Sequence, residues 1–405
     1  MTDASKQPIE ALAPRILHLV SSDRWTGVAE PVAGLAFHQQ ALGCEVWLAC
    51  APSRSLERHA KRRALRVLTD LYLDRRLNPL HLIKDLQILA RFVRSERIHV
   101  VHAHLIHDHW IAALALRKAK ASALLVRTVH RAEGPHVDPF HRWLFDSATD
   151  LTIAISEESA GVLSQRLKLA PAATRVIYGG VDAERFHPGL DGSEFRREMA
   201  IPSGAPLGGI VARMVEGRGH RWLLESFSRA VRRVPDLHLV LVGRGPLKKQ
   251  LRAEIARHPR REQIRMAGYR MEDLPQAYAA MDFHILLGQG SDGSCRAALE
   301  AMAAGKPNIV VRQGVLPETV REGQEGLLVE PNDVAGLAEA LARLASRREE
   351  AAAMGRNARR AVEERFRDEI RAQETLAAYA HAWEARFGGR GLESPAFPSL
   401  AHSEL

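Results

Sequence analysis

Two short segments in the second half of the 405-residue chain combine residue types suited to an anionic ligand. In Ala212-Arg213-Met214-Val215-Glu216-Gly217-Arg218-Gly219-His220, an apolar run leads into two guanidinium groups five residues apart, among glycines that let the chain bend closely around a ligand. Guanidinium is a planar fork that matches phosphate oxygens, although two solvated loop arginines would read the same way. Further on, Ser291-Asp292-Gly293-Ser294-Cys295-Arg296-Ala297-Ala298-Leu299-Glu300 puts Asp292 in a glycine-rich turn and Glu300 inside the helix expected to follow. A carboxylate beside Leu299 and Met302 must be bonded or desolvated, and a ribose diol is a partner that suits it. Arg296 reads either as a ligand for an extra anionic group or, with slight preference, as a salt-bridge partner.

The first half concentrates histidine. His102, His104, His107, Asp108 and His109 are close enough to suggest a metal, but the chain has no Asp-x-Asp pair, and no metal is expected. Gly243-Arg244-Gly245 lacks the third glycine of the dinucleotide fingerprint, and no acidic residue follows a first-half glycine loop at the expected distance, which argues against a nicotinamide enzyme. Cys295 has no histidine partner in sequence and reads as packing.

The elements that must position these residues alternate strand and helix. In the first half the strands are expected at 15–21, 45–50, 100–103, 124–129 and 151–155, with helices at 31–42, 78–94 and 110–118. After a polar stretch at 181–204 the theme repeats, with strands at 207–211, 237–242, 264–267, 283–287, 308–311 and 326–329. Continuous apolar strands between amphipathic helices imply parallel sheets covered on both faces. Doubly wound sheets of this kind bind ligands at the carboxyl ends of their strands.

Composition sets the outer limits. A hydrophobic fraction of 46% with 26% charged residues suits packed cores, and the length suits two domains. Three cysteines (Cys44, Cys50, Cys295) exclude a disulfide scaffold and fit a reducing compartment. No run is long and apolar enough to span a bilayer, and the polar N-terminus lacks a signal-peptide core. Cytoplasm is the expected compartment. Of the net charge of +9, the stretch from Arg54 to Arg97 carries +7, twelve basic residues against five acidic ones.

In order and spacing, these pieces resemble the retaining glycosyltransferases of family four, whose GT-B fold is two facing Rossmann-like α/β domains with a C-terminal helix crossing back to the first. The resemblance covers nearly the whole chain. It runs from Ile16 to Gly27 through Val101-His102-Ala103-His104, Thr128-Val129-His130, Ile153-Ala154-Ile155-Ser156 and Ile177-Tyr178-Gly179-Gly180-Val181-Asp182. It continues through Arg213 to Gly219, Val242-Gly243-Arg244-Gly245-Pro246, Gly268 with Asp273 and Tyr278, Asp292 to Pro307, and Pro317-Glu318. The resemblance implies that Arg213 and Arg218 hold a donor diphosphate in place of a metal. It implies further that Glu300 binds the donor ribose, Asp292 the transferred sugar, and Gly27 the diphosphate from the first domain. His130, Arg213, Arg218 and Asp292 are the implied catalytic set, with His130 positioning groups near the reacting carbon. Gly243, Gly268, Tyr269, Gly293 and Ser294 complete the implied donor site, and His104 and Arg131 are assigned to the acceptor. The family commonly has Lys at 218 and Glu at 292; Arg218 and Asp292 keep the charge and change the geometry.

The expected function is transfer of a sugar from a UDP- or GDP-sugar to a hydroxyl of a glycan or lipid-linked acceptor, in bacterial envelope polysaccharide, lipopolysaccharide or glycolipid synthesis, with no cofactor. A catalytically degenerate nucleotide-sugar-binding subunit and a sugar-nucleotide epimerase are the competing readings. The basic stretch reads first as a solvated helix face, next as a contact for an anionic membrane surface on the inner face of the cytoplasmic membrane, and least as a nucleic-acid site, since aromatics are 5% and no stacking pattern interleaves the charge. The expected domains are 1–187, 188–368, a returning helix at 369–388 and a disordered tail at 389–405.

Overall fold

The computed structural model describes residues 12–22, 28–51, 54–74, 78–130, 134, 137–288, 292–388 and 395–398. They divide into two compact units, one of residues 1–155, 159–177 and 369–405, the other of 156–158 and 178–368.

Among the described residues the first unit has strands β1 (Arg15–Val20), β2 (Glu45–Cys50), β3 (Arg66–Leu68), β4 (Val100–Ala103), β5 (Leu124–Val129), β6 (Leu151–Ala154) and β7 (Thr174–Val176). All pair in parallel, in the order β3-β2-β1-β4-β5-β6-β7. The central strands are near-continuous apolar runs because both faces are covered. On one face Ile16, Val46, Leu48, Val100 and Val126 pack against Ala33 of the helix Ala29–Ala41 and against Leu376, Tyr379 and Trp383 of the helix Asp368–Phe387. On the other, Leu17, Leu19, Val101 and Leu125 meet Leu89 and Val93 of Pro79–Ser95 and Ile111 and Ala112 of Ile106–Ala119. The helix Pro79–Ser95 starts where its sequence says it must: the Asn78 side chain accepts from the Leu80 N–H at 3.0 Å, and Pro79 takes the first helical position.

The second unit repeats the plan with β8 (Leu207–Val211), β9 (His238–Val242), β10 (Ile264–Gly268), β11 (Phe283–Leu286), β12 (Asn308–Val311) and β13 (Gly326–Val329), in the order β10-β9-β8-β11-β12-β13. Each sheet reverses its strand order once, between β1 and β4 and between β8 and β11. Those reversals are the places where crossovers leave on opposite faces and open a crevice at the strand ends.

Two expectations are corrected. The boundary expected at 187/188 lies ten residues too late, because Val181, Ala183 and Phe186 are buried with Leu207, Tyr278 and Phe366 in the second unit's core. The tail expected to be disordered from 389 is placed at 395–398: the Ala396 N–H donates to the Leu12 carbonyl at 3.0 Å, and Phe397 packs against the first unit's core beside Tyr379. An aromatic flanked by two prolines offers apolar surface to bury and little backbone entropy to lose.

Candidate functional site

The loops that follow β8, β9, β10 and β11 are drawn together by backbone. The Gly243 N–H donates to the Gly268 carbonyl at 2.7 Å and the Met214 N–H to the Arg244 carbonyl at 3.0 Å. A side chain at Gly243 would put its Cβ 2.0 Å from the Ala212 carbonyl oxygen, so only glycine allows this approach. Gly217 and Gly219 both have positive φ, 77° and 74°, and bend the chain around Arg218 before the helix His220–Ala230 begins.

Arg213 is exposed just beyond β8, and Arg218 is half-buried. The stem of Arg218 lies against the chain leaving β11, where a Cβ on Gly288 would sit 2.8 Å from Arg218 Cδ. Burial, and after it the positive charge of Arg213, lowers the pKa of Arg218. Among the described residues no carboxylate pairs with either guanidinium. Two cations held together at a strand-order reversal without a counter-charge are complementary to a polyanion. At the rim, the Arg244 guanidinium lies 4.2 Å from the centre of the exposed Tyr269 ring, a cation–π contact that leaves an aromatic edge at the end of β10.

The helix Asp292–Ala303 follows β11. Asp292, Gly293 and Ser294 form its first turn; their side chains, like Gly27 and Arg131, lie outside the described residues. Glu300, just over two turns in, is 6% exposed. Its Oε2 accepts from the Tyr278 hydroxyl at 2.9 Å and its Oε1 from Arg296 Nε at 2.9 Å. Arg296 is thus the salt-bridge partner four residues back on the same helix. Tyr278 is part of the resemblance, but its hydrogen bond to Glu300, 22 positions on, is not legible from the sequence. Cys295 is buried beside Thr319 Oγ1, as packing requires.

At the corresponding ends of the first unit's strands lies a buried set of imidazoles. His18, His102 and His104 are wholly buried, and His130 is 6% exposed. Parallel register places His18 beside His102, and the two-residue repeat of a strand puts His104 on the same face. Their ligand-capable nitrogens lie within 4.8 Å of one another, a grouping that could hold a metal. Every ring nitrogen of the three already has a protein partner, however. His18 Nε2 meets Gln39 Oε1 at 2.7 Å, and His18 Nδ1 meets His104 Nε2 at 3.0 Å. His104 Nδ1 meets His130 Nε2 at 3.2 Å, and His102 lies 2.6 Å from the Tyr379 hydroxyl and 2.7 Å from Thr128 Oγ1. Burial pushes the pKa of His18 down to about 4 and those of His102 and His104 well below the usual imidazole range, so all three are neutral at pH 7.

His104, which the resemblance assigns to the acceptor, has no exposed surface, and both its ring nitrogens are engaged within the protein, one of them with His130. The Asp108 carboxylate receives the Ser21 N–H and the Leu105 N–H, both at 2.8 Å, tying the ends of β1 and β4 together. Burial raises its pKa to about 6. His109 turns away to Thr149, 2.6 Å distant, and packs on Phe145.

Family models match both units: glycosyltransferase family 4 over residues 25–185, and glycosyl transferases group 1 over residues 191–361. The chain belongs to the family 4 glycosyltransferases, and its paired Rossmann-like units are those of the GT-B class. It is 32% identical over 195 residues to a GDP-mannose-dependent alpha-(1-6)-phosphatidylinositol monomannoside mannosyltransferase of Mycolicibacterium smegmatis, a match spanning 45% of this chain and half the length of that relative. It is 29% identical over 289 residues to a D-inositol 3-phosphate glycosyltransferase of Corynebacterium urealyticum, covering 64% of this chain and 68% of that one. A glycosyltransferase from Rickettsia africae shares the fold, with a TM-score of 0.81 at 20% identity over 91% of this chain and 98% of the other.

Proposed function

We propose that the protein transfers a sugar from a nucleoside diphosphate sugar to an acceptor hydroxyl, with retention at the anomeric carbon and no required metal. The observation that carries this reading is the uncompensated pair Arg213 and Arg218 at the β8/β11 reversal, in the same unit as the buried, doubly bonded carboxylate of Glu300. The departing diphosphate gathers negative charge as the glycosidic bond breaks, and guanidinium groups already in place stabilise it without reorganisation. Glu300, oriented by the Tyr278 hydroxyl and Arg296, is assigned to the ribose diol, which a carboxylate accepts as hydrogen-bond donor. Asp292 is assigned to the transferred sugar and His130 to a hydroxyl near the reacting carbon, with Gly243, Gly268 and Tyr269 lining the nucleotide.

The relative from M. smegmatis is GDP-mannose-dependent by name, which makes GDP-sugars the first donors to try and UDP-sugars the second. Envelope glycolipid or polysaccharide is the proposed acceptor class. On the helix Pro79–Ser95, Leu80 and Ile83 are 70% and 51% exposed among the exposed Lys84, Arg91 and Arg94, a mixture suited to an anionic lipid surface. No helix among the described residues is long and apolar enough to cross a membrane. Proton NMR of the first-formed product reads the anomeric configuration; an inverted product would overturn retention. Flotation with vesicles containing anionic phospholipid at low salt tests the surface, and absence of binding rejects it.

A further inference from the structure

The histidine chain in the first unit has a direction. Gln39 Oε1, an acceptor only, faces His18 Nε2 at 2.7 Å, so that nitrogen carries the proton. The other end of the amide, Gln39 Nε2, is buried and makes no hydrogen bond with any described residue. A neutral imidazole has one donor and one acceptor nitrogen. His18 Nδ1 must therefore accept, and His104 Nε2, 3.0 Å away, must donate. His104 Nδ1 then accepts in turn, so His130 Nε2, 3.2 Å away, must carry a proton. Three successive hydrogen bonds thus run from Gln39 on the helix Ala29–Ala41, through β1 and β4, to His130 at the end of β5.

We propose that Gln39, acting through His18 and His104, fixes the tautomer of His130, with the proton on Nε2 and Nδ1 as its acceptor nitrogen. Gln39, His18 and His104 are positioning residues, since none of them is exposed to touch a substrate. The neighbouring ring fits the same sense: with the Tyr379 hydroxyl donating to His102 Nδ1 at 2.6 Å, His102 Nε2 donates to Thr128 Oγ1 at 2.7 Å. The whole face is polarised one way, with every proton on Nε2. Were the Gln39 amide reversed, each bond would reverse and His130 would present a donor at Nδ1, which a hydroxyl could meet only as acceptor. A polar chain with each member satisfied is also why four imidazoles can share one core.

The assignment of His130 to a sugar hydroxyl rests on the function proposed above; the tautomers do not. Nitrogen-15 NMR of histidine-labelled wild-type protein, recorded without substrate, separates protonated from unprotonated ring nitrogens. The expected spectrum has Nε2 protonated and Nδ1 unprotonated at His18, His104 and His130. Gln39→Leu, close in volume but without the acceptor, is expected to mix the tautomers of all three and to lower kcat about 10–100-fold with little change in donor KM, the loss typical when the outer partner of a functional histidine is removed. Gln39→Glu, still an acceptor, is expected to keep the wild-type pattern and recover most of kcat. A wild-type spectrum with Nδ1 protonated at His18 or His104 overturns the proposal, as does a Gln39→Leu protein in which the His130 signals are unchanged. A wild-type enzyme with the expected tautomers but no transfer from any nucleotide sugar overturns the functional reading and leaves the relay standing.

Discussion

The Tyr278 hydroxyl donates to Glu300 Oε2 at 2.9 Å inside the second unit's core, while Arg296 Nε holds the other oxygen at the same distance. The pair fixes a carboxylate whose neighbours in the helix are Leu299 and Ala301, both buried. Burial and the nearby charge of Glu300 push the Tyr278 pKa well above its usual value, so the phenol remains a donor at every working pH.

Tyr278→Phe removes that donor without changing the core's volume much. A hydrogen bond to a buried charge contributes about 1.5–3 kcal/mol, and the expected outcome is a lower urea midpoint together with weaker donor binding. Unchanged values of both would show that the phenol does not orient the carboxylate.

Arg218 should behave in the opposite sense. Burial and the charge of Arg213 both disfavour its cationic form in the absence of ligand, so Arg218→Met is expected to leave the thermal midpoint level or higher while weakening donor binding at least about tenfold, the loss of one charge-assisted contact. Arg218→Lys should restore part of the affinity. A large drop in midpoint for Arg218→Met, with affinity intact, would assign the residue to the fold and not to the ligand.

Acid is expected to destabilise the protein from just below neutrality. Burial disfavours the charged forms of His18, His99, His220 and His284, whose pKa values fall to about 4, and holds those of His102, His104 and His109 well below the usual imidazole range. In the unfolded chain each takes a proton near pH 6.5. A depressed histidine pKa therefore lowers stability as pH falls from about 6.5 towards 4, by about 1.4 kcal/mol per pH unit for each such group. Asp108 works the other way: its folded value, about 6, lies above the unfolded one. Burial raises Asp85 and Asp150 in the same sense, and the buried histidines outnumber these three carboxylates. Melting curves should shift steeply downward between pH 7 and pH 5, and a flat profile would contradict the buried neutral set.

Phe397→Ala tests the C-terminal contact. The ring is partly buried against Tyr379 and the first unit's core, so a loss of about 1 kcal/mol is expected with donor binding unaffected. A variant as stable as the parent would make the 395–398 contact incidental.

Much of this was legible in the sequence where hydrophobic patterning is strong. β2, β4, β5, β8, β12 and β13 coincide with the apolar runs that announce them, because both faces of those strands are covered. β3 and β7 were not legible: each is a three-residue edge strand of partly exposed residues, with no apolar run to mark it. Arg213, Arg218 and Glu300 could be found because their chemistry is written locally, in glycines and in a carboxylate among leucine and methionine. The imidazole chain could not, since its members join positions 18, 39, 104 and 130 through strand register and helix packing. Even so, a polar residue at alternate positions of a buried strand, such as His18 between Leu17 and Leu19, is a signal that it must meet another polar group.

The measurement that bears most directly on the central claim is donor binding. Thermal shifts of wild-type protein and Glu300→Ala with GDP- and UDP-sugars, with and without a chelator, read the proposed site without any acceptor. At 100 times its dissociation constant a ligand adds about 2.7 kcal/mol of stability. The account predicts a rise with one class of nucleotide sugar that survives the chelator and disappears in Glu300→Ala. No rise with any nucleotide sugar, or a rise of equal size in the mutant, would contradict it.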